Sequence, residues 1–460
     1  MMTCHTPRII LAAPKSGSGK TTVTAALLSA LKERGLSVQA FKAGPDFIDP
    51  MYQERITGRP SINLGTYLAG TKMTASLFAW HCMEQKTDLA VIEGVMGLFD
   101  GAGGIAEDGS TYDLARALDC PILLAVDAKG MGRSLLAVLA GFLSMDTSHL
   151  IRGVLLNRVS GPFARTLAKL VEDSLQLPVV GCFPEEKALH LESRHLGLKL
   201  PGENSENDVS LHAAGLLEAN ADVERILTIA RAAPALSAPG SPFPETKAAP
   251  FRAANARDEA FCFVYQDNLN LLRAMGAEIV PFSPLHDRVL PEGIQGLYLP
   301  GGYPELHAGE LSENVSMRED IKKKLQEGLP CIAECGGFLY LLASMEDMEG
   351  ERYPMAGFLP GNAVYTGHLV RFGYLELSEK TPRFLGVGET IRGHEFHYYE
   401  ATDCGSACTA GKPVSHRRFA CVHETGNQFF GFPHLYWPSC PSFAEHFSDF
   451  CRAFGRKEEV

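Results

Sequence analysis

The first half of the chain alternates short apolar runs with segments whose apolar residues recur at helical spacing. Six of the apolar runs are predicted strands: IILAA, VQAFKAG, LAVIEGV, PILLAVDA, GVLLNRV and PVVGCF. Nearly continuous apolar strands separated by helices are typical of a parallel sheet that is covered by helices on both faces. The pattern therefore predicts a doubly wound α/β domain over residues 1–230.

This alternation stops in a segment rich in proline and alanine and then resumes. Residues 231–259, RAAPALSAPGSPFPETKAAPFRAANARDE, hold five prolines and no periodic pattern, which predicts a linker. Strand-like and helical patterns return at FCFVYQDNLNLL and continue through CIAECGGFLYL. The sequence thus predicts two α/β domains, 1–230 and 260–455, on either side of the linker.

Composition and charge exclude several classes of partner. The chain is 45% hydrophobic and 21% charged, which is ordinary for a globular protein. Its net charge of 42 − 54 = −12 argues against a nucleic acid or an anionic membrane as partner. The longest apolar helical run, SLLAVLAGFLSM at 134–145, is too short to cross a bilayer. Twelve cysteines without a secretory signal pattern predict reduced thiols and a cytoplasmic protein.

After the first predicted strand, the segment APKSGSGKTT has the features of a phosphate-binding loop. Small residues let backbone N–H groups converge on phosphate oxygens, while a lysine offsets charge and a hydroxyl binds magnesium. Pro14 replaces the first glycine of the strict pattern, and Lys15 adds a second lysine before the loop. We predict that ATP is bound by Lys15, Gly17, Gly19, Lys20, Thr21 and Thr22.

Further polar residues follow other predicted strands of the first domain. Asp46 and Asp49 lie in FKAGPDFIDP, and Glu93 lies in VIEGVMGLFDG. Because magnesium prefers oxygen ligands, we predict that Thr21, Asp46 and Glu93 hold Mg²⁺ beside the triphosphate. Asn157, at the end of the LLNRV run, is predicted to contact the adenine edge.

The second domain contains a candidate nucleophile, Cys335, where the strand-like run LPCIAE meets Gly336 and Gly337. A sharp strand-to-helix turn exposes a nucleophile and directs backbone donors towards a developing oxyanion. Gly301 and Gly302 end another predicted strand, and we expect them and Gly336 to line the substrate or oxyanion site. The thiol also needs a base. The downstream histidines leave this choice open: His368, His394, His397, His416, His423, His434 and His446.

Several motifs together resemble a known family. LYLPGGYPE, CIAECGGFLYL, GHEFHYYE and GFPHLYWPSCPSFAEHF resemble a class I glutamine amidotransferase domain of the cobyrinic acid synthase kind. APKSGSGKTT, FKAGPDFIDP and VIEGVMGLFDG resemble the dethiobiotin-synthetase-like ATPase domain that is fused to it in the cobyrinic acid a,c-diamide synthase family. The resemblance implies that Cys335 attacks glutamine with His434 as its base and that Asp49 contacts or positions the substrate. The chain departs from the family in carrying Tyr436 where a second histidine is usual.

The resemblance implies ATP-dependent amidation of the a and c acetate groups of cobyrinic acid through acyl phosphates, with ammonia from glutamine. The expected partners are glutamine, ATP and a tetrapyrrole carboxylate, and a homodimer stays open. Nickel-sirohydrochlorin, in the coenzyme F430 pathway, is an alternative substrate that these motifs do not exclude. A non-catalytic nucleotide switch of the partition-ATPase kind is the alternative from another class, although it would need neither Cys335 nor His434.

Overall fold

The computed structural model describes residues 1–186, 193–194, 197–198, 206–244 and 246–458. The chain forms two compact units, Met1–Pro242 (unit 1) and Phe243–Val460 (unit 2). Each unit has a mainly parallel sheet with helices packed against it. The prediction of two α/β domains is therefore confirmed.

Unit 1 contains one large sheet, two small two-stranded sheets and eight helices among its described residues. Its strands are β1 (Met2–Cys4), β2 (Arg8–Ala12), β3 (Val38–Ala43), β4 (Ile62–Leu64), β5 (Leu89–Glu93), β6 (Ile122–Asp127), β7 (Ile151–Asn157), β8 (Val179–Phe183), β9 (Ser193–Arg194), β10 (Gly197–Leu198) and β11 (Leu236–Ala238). Its helices are α1 (Lys20–Glu33), α2 (Ile48–Thr57), α3 (Thr66–Glu84), α4 (Thr111–Ala117), α5 (Leu135–Met145), α6 (Gly161–Leu175), α7 (Glu206–Asn220) and α8 (Val223–Arg231).

The large sheet of unit 1 has the strand order β4-β3-β5-β2-β6-β7-β8, and all its pairs are parallel. Its inner strands are buried along almost their whole length, as expected where helices cover both faces. After β2, the chain first forms the strands on one side of it (β3, β4 and β5) and then the strands on the other side (β6, β7 and β8). Ligands of such sheets bind at the carboxyl ends of the strands beside this reversal, which here are the ends of β2, β3 and β5.

Unit 2 contains three sheets and five helices among its described residues. Its strands are β12 (Phe251–Ala256), β13 (Ala277–Phe282), β14 (Gly296–Leu299), β15 (Cys331–Glu334), β16 (Ser344–Glu346), β17 (Arg352–Pro354), β18 (Asn362–Tyr365), β19 (Arg371–Glu379), β20 (Ile391–His397), β21 (Tyr399–Ala401), β22 (Cys408–Gly411), β23 (Arg418–Cys421), β24 (His423–Thr425), β25 (Gln428–Gly431) and β26 (His434–Leu435). Its helices are α9 (Gln266–Ala274), α10 (Ala308–Glu313), α11 (Val315–Gln326), α12 (Gly336–Leu341) and α13 (Pro441–Glu458).

The main sheet of unit 2 has the order β13-β12-β14-β15-β25-β24 and is parallel except for the edge strand β24. An antiparallel sheet, β23-β22-β19-β20-β26, lies beside it, and β17-β16-β18-β21 form the third sheet. The chain leaves β25 in the main sheet and enters β26 in the antiparallel sheet after only two intervening residues. The start of β26 therefore lies at the carboxyl end of the main sheet.

The predicted linker over 231–259 is corrected by the structure. β11 pairs with β1 in unit 1, and β12 is an inner strand of the main sheet of unit 2. Apart from Phe251, the buried apolar residues of β12 are alanines, so the strand has few of the large apolar side chains by which a strand is predicted from sequence. Its two backbone ladders, to β13 and β14, hold it instead. The boundary between the units consequently falls after Pro242.

Candidate active sites

The phosphate-binding loop of unit 1 lies between β2 and α1, as predicted. Gly19 has a φ of +87°, and a Cβ atom at this position would lie 2.2 Å from Asn157 Nδ2. Only glycine fits such a position. The loop leads directly into Lys20, the first residue of the 14-residue helix α1, and the N-terminus of a helix favours phosphate. The local geometry is thus that of an anion-binding cradle.

The two loop lysines differ in their surroundings. Lys15 is exposed, whereas Lys20 is buried and its Nζ donates a hydrogen bond to the carbonyl of Met96 at 2.6 Å. Burial, and then the positive charge of Lys42, lower the pKa of Lys20 to about 8. Phosphate oxygens near this amine would offset both effects, since an opposite charge favours the ammonium form.

Asn157 lies against the same loop, at the end of β7. Its Nδ2 donates to the carbonyl of Ser18 at 2.8 Å, and its Oδ1 accepts a hydrogen bond from the backbone N–H of Arg158 at 3.0 Å. The side chain is buried. The amide therefore supports the backbone of the phosphate-binding loop, and the contact with adenine stays a prediction.

A cluster of carboxylates lies beside the loop. Thr21 Oγ1 donates to Glu93 Oε1 at 2.7 Å and lies 3.4 Å from Asp49 Oδ2. Gln53 Nε2 donates to Glu93 Oε2 at 2.7 Å. The strand ends of β2, β3 and β5 bring these side chains together. Of the predicted residues, Thr21, Glu93 and Asp49 thus share one hydrogen-bonded cluster.

Asp46 lies just before α2 and accepts hydrogen bonds from the start of this helix. Its Oδ1 accepts hydrogen bonds from the backbone N–H groups of Ile48 (2.9 Å) and Asp49 (3.2 Å), which open α2. Its other oxygen lies 3.6 Å from Lys42 Nζ. The hydroxyl of Thr21 thus meets Asp49 and Glu93, while one oxygen of Asp46 caps the start of α2. Mg²⁺ binding by Thr21, Asp46 and Glu93 stays a prediction.

Lys42, which the sequence analysis missed, lies at the centre of this cluster. Its Nζ is hydrogen-bonded to Asp49 and lies 3.2 Å from Glu93 Oε1. Burial alone would lower the pKa of Lys42, but the carboxylates of Asp49 and Glu93 outweigh it and raise the pKa well above its usual range. The signal in the sequence was a lysine inside an apolar strand, because such a residue is almost never fully buried unless it is paired.

The cluster carries more negative than positive charge. Burial, and then the charge of Asp49, raise the pKa of Glu93 to about 7 and that of Asp46 to about 6. A cluster of hard oxygen atoms with excess negative charge fits Mg²⁺. Across the described residues, no group of three or more His, Cys, Asp or Glu side chains is arranged to hold a metal by itself. Magnesium here would therefore complete its shell with water and phosphate oxygens.

The candidate nucleophile of unit 2 lies on a strained turn between β15 and α12. Cys335 has a φ of +46° and a ψ of −108°, which is uncommon for a residue other than glycine. Its backbone N–H donates to the carbonyl of Gly431 at 2.8 Å. A Cβ atom on Gly337 would lie 2.1 Å from the carbonyl oxygen of Leu299, so α12 can begin here only with glycine. A strained nucleophile at a strand-to-helix turn is the geometry that the sequence predicted.

The other predicted residues of unit 2 converge on this turn. A Cβ atom on Gly301 would lie 2.3 Å from His434 Cε1, and one on Gly336 would lie 3.2 Å from the backbone nitrogen of Gly302. Residues 301–302 therefore contact the imidazole on one side and the residue after Cys335 on the other. The structure therefore brings the imidazole and the glycine-rich segment to the turn that carries Cys335.

Burial sets the protonation of this pair. It raises the pKa of Cys335 well above its usual range, with the charge of Glu305 adding to the effect, and it lowers the pKa of His434 to about 3. Burial therefore favours the neutral thiol and the neutral imidazole.

Glu334, which was not predicted from the sequence, links β15, the strand before Cys335, to β26, the strand that carries His434. Its Oε1 accepts hydrogen bonds from the backbone N–H of Leu435 (3.2 Å) and the indole N–H of Trp437 (3.4 Å), and its Oε2 accepts one from the hydroxyl of Tyr298 (2.9 Å). Burial raises the pKa of Glu334 to about 7. The residue before the nucleophile thus holds the strand that carries His434.

Comparisons with known families agree with this division. Residues 9–198 match the CobQ/CobB/MinD/ParA nucleotide binding domain, and residues 252–437 match the CobB/CobQ-like glutamine amidotransferase domain. The fold and the two sites thus define an ATP-binding unit and a glutamine amidotransferase unit in one chain.

Full-length relatives define the family more closely. A cobyrinate a,c-diamide synthase from Dehalococcoides mccartyi is 38% identical, with 97% of this chain and 99% of the relative covered. Enzymes with the same name are 39% identical in Listeria innocua (95% and 97% covered) and 40% identical in Salmonella typhimurium (95% and 96% covered). This chain belongs to the cobyrinate a,c-diamide synthase family, and it is a ligase that forms C–N bonds with glutamine as nitrogen donor. No helix within the described parts of the chain is long and apolar enough to cross a membrane.

Proposed function

We propose that this protein amidates the a and c acetate carboxylates of cobyrinic acid, with glutamine as the source of ammonia and ATP as the source of energy. The observation that carries the proposal is the similarity to cobyrinate a,c-diamide synthases, which extends over both units. The thiol site and the phosphate-binding loop supply the two halves of the chemistry.

In unit 1, a carboxylate oxygen of the substrate attacks the γ-phosphorus of ATP, so that ADP leaves and an acyl phosphate forms. The backbone N–H groups of the loop and the ammonium group of Lys20 offset the charge on the phosphates, and the exposed Lys15 is close enough in sequence to assist. Thr21, Asp49 and Glu93 would hold Mg²⁺, which neutralises phosphate charge when bound. Lys42 keeps the carboxylates in place.

In unit 2, the sulfur of Cys335 attacks the side-chain amide carbon of glutamine, and His434 accepts the thiol proton. The backbone N–H groups of Gly302 and Gly336 are the proposed donors to the oxyanion. The imidazolium then protonates the leaving nitrogen, so that ammonia departs and a thioester remains. Water hydrolyses the thioester to glutamate and restores the thiol.

The two half-reactions meet when ammonia attacks the acyl phosphate, expels phosphate and forms the amide. Ammonia must arrive uncharged, because ammonium has no lone pair with which to attack. A carboxylate by itself is a poor acceptor, since its leaving group would be oxide. Activation by ATP and the supply of ammonia are therefore both required.

Mass spectrometry of the product tests the proposal. The protein is incubated with ATP, magnesium and glutamine whose amide nitrogen carries a heavy isotope, together with either cobyrinic acid or nickel-sirohydrochlorin. We expect two successive replacements of OH by labelled NH₂ on cobyrinic acid. Labelled product from nickel-sirohydrochlorin alone would contradict the proposed substrate, and the absence of label from either product would contradict the use of glutamine.

A further inference from the structure

The imidazole of His434 lies against a second buried imidazole, that of His394. The two residues are opposite each other on the antiparallel strands β26 and β20. Their rings are stacked, with centroids 5.0 Å apart and an angle of 20° between the planes. Both side chains are buried. The orientation of one ring therefore limits the orientation of the other.

His394 is itself held by hydrogen bonding and by further rings. Its Nδ1 lies 2.9 Å from the hydroxyl of Tyr265, which precedes α9. The Tyr265 ring contacts that of Tyr436 edge-on, with centroids 5.1 Å apart, and the Tyr436 hydroxyl donates to Asp267 Oδ2 at 3.2 Å. A chain of contacts thus runs from His434 through His394 and two tyrosines to a buried carboxylate on α9.

The strand that carries His434 is fixed separately from these rings. Asn268 Nδ2 donates to the carbonyl of Leu435 at 2.9 Å, and its Oδ1 accepts a hydrogen bond from the backbone N–H of Trp437 at 2.9 Å. Together with Glu334, these bonds hold the backbone on the C-terminal side of the histidine. Loss of His394 would therefore remove the ring stacked on this imidazole without releasing the strand.

We propose that His394 is a positioning residue for glutamine hydrolysis: it holds the ring of His434 in the orientation that receives the proton of Cys335. The inference rests on the proposed roles of Cys335 and His434. The chain has Tyr436, and not a carboxylate, two residues after His434. An orienting contact in the structure is the stacked ring of His394, which is fixed in turn by Tyr265.

The charges around the pair are compatible with this role. His434, Tyr265 and Lys412 are among the groups that act on His394 from neighbouring elements, and the charge of His397 acts on His434. Burial, and then the charges of His434 and Lys412, lower the pKa of His394 well below its usual range. His394 therefore stays neutral, and it does not repel the imidazolium that forms on His434 during the reaction.

His397 provides a matched control on the same strand. It lies three residues after His394 and is also buried. Alternate residues of a strand point to opposite faces, so His397 points away from the face that carries His394. Its ring stacks on Phe432, with centroids 4.0 Å apart, and its Nδ1 donates to the carbonyl of Tyr399 at 2.7 Å. Replacing it removes an equally buried histidine whose charge also acts on His434, but it leaves the ring that is stacked on His434 in place.

The test compares His394→Ala, His394→Phe and His397→Phe in glutamine hydrolysis, with kcat, KM and the pH profile measured for each. We expect His394→Ala to lower kcat about 100-fold, the effect of misplacing a reacting group by about 1 Å, while KM for glutamine is unchanged. Water entering the vacated space would raise the pKa of His434 from its buried value, so the acid limb of the pH profile should move to higher pH. His394→Phe keeps a ring in place but loses the hydrogen bond to Tyr265, so its kcat should lie between those of His394→Ala and the unmodified protein. His397→Phe should retain most of the rate.

Tyr265→Phe keeps the inference testable if His394→Ala does not fold, because it removes only the hydroxyl that fixes His394. It should lower kcat less than His394→Ala and leave KM unchanged. A wild-type rate and pH profile in both variants would overturn the positioning role, and so would equal losses of kcat in His394→Ala and His397→Phe. Absence of glutamine hydrolysis in the unmodified protein would instead overturn the proposed function together with this inference.

Discussion

Replacing Lys42 by methionine tests the charge balance at the carboxylate cluster of unit 1. The side chain is almost completely buried, and its Nζ contacts Asp49, Glu93 at 3.2 Å and Asp46 at 3.6 Å. Methionine has a similar shape but no charge. The substitution therefore leaves three neighbouring carboxylates without their shared cation.

The expected loss of stability follows from these distances. At an effective dielectric constant of about 20, each charge pair at about 3.5 Å contributes roughly 5 kcal/mol of attraction. Much of this is offset by the desolvation of the ammonium group and by repulsion among the carboxylates. Removal of one partner from a buried pair costs about 3–5 kcal/mol, and we expect the free energy of unfolding of unit 1 to fall by that amount at pH 8.

The loss should depend on pH. The folded-state pKa of Glu93 is raised to about 7 and that of Asp46 to about 6, and loss of Lys42 should raise both further. A carboxyl group whose pKa is higher in the folded than in the unfolded state binds its proton more tightly when folded, so it stabilises the protein as pH falls. The loss in free energy of unfolding caused by Lys42→Met should therefore be largest above pH 7 and become smaller towards pH 5.

Hydrogen exchange of the β3 and β5 peptides in urea would measure this effect, because it reports on unit 1 separately from unit 2. Lys129→Met is the control, since Lys129 pairs with Glu185 at 2.7 Å with both side chains more than half exposed, and exposed ion pairs contribute little to stability. If Lys42→Met lowered the free energy of unfolding no more than the control does, the proposed charge balance would be refuted. A loss that does not change with pH would refute it as well.

Three further substitutions test the two sites. Cys335→Ala should abolish glutamine-dependent amidation and leave amidation with added ammonium salts intact; parallel loss of both would contradict the separation of the sites. Lys20→Ala should remove both activities and weaken ATP binding in calorimetry, and turnover with ammonium salts would argue against the phosphate-binding loop. Gly337→Ala should destabilise unit 2 by about 1–3 kcal/mol in urea denaturation because it overpacks the start of α12. Gly309→Ala is its control, since a Cβ atom there meets only Tyr353 at 3.6 Å, and equal effects would contradict the packing argument.

The predicted strands and the phosphate-binding loop depend on residues that are near one another in the sequence. Apolar runs such as IILAA became β2, and the G-K-T core opened α1 where expected. The turn at Cys335 was also predictable, because glycines directly follow the strand. In each case a local pattern is sufficient, since the elements begin and end within a few residues.

The missed features depend on distant residues. β12 is held by its neighbours β13 and β14, which its own alanines do not indicate. Asp46 and Asp49 both follow β3, yet only the path of α2 decides that Asp49 meets Thr21 while Asp46 accepts bonds from the helix. The sequence offered no spacing that separates the two aspartates.

The sequence by itself determined the two α/β domains, the phosphate-binding loop and the turn that carries Cys335, because each is encoded in a contiguous motif. Only the tertiary structure decided which distant groups act on them. Lys42 meets Glu93 through the pairing of β3 with β5, and His394 meets His434 through the pairing of β20 with β26. Such contacts arise from strand register between segments far apart in the chain, and burial then sets the charge states of the groups that meet.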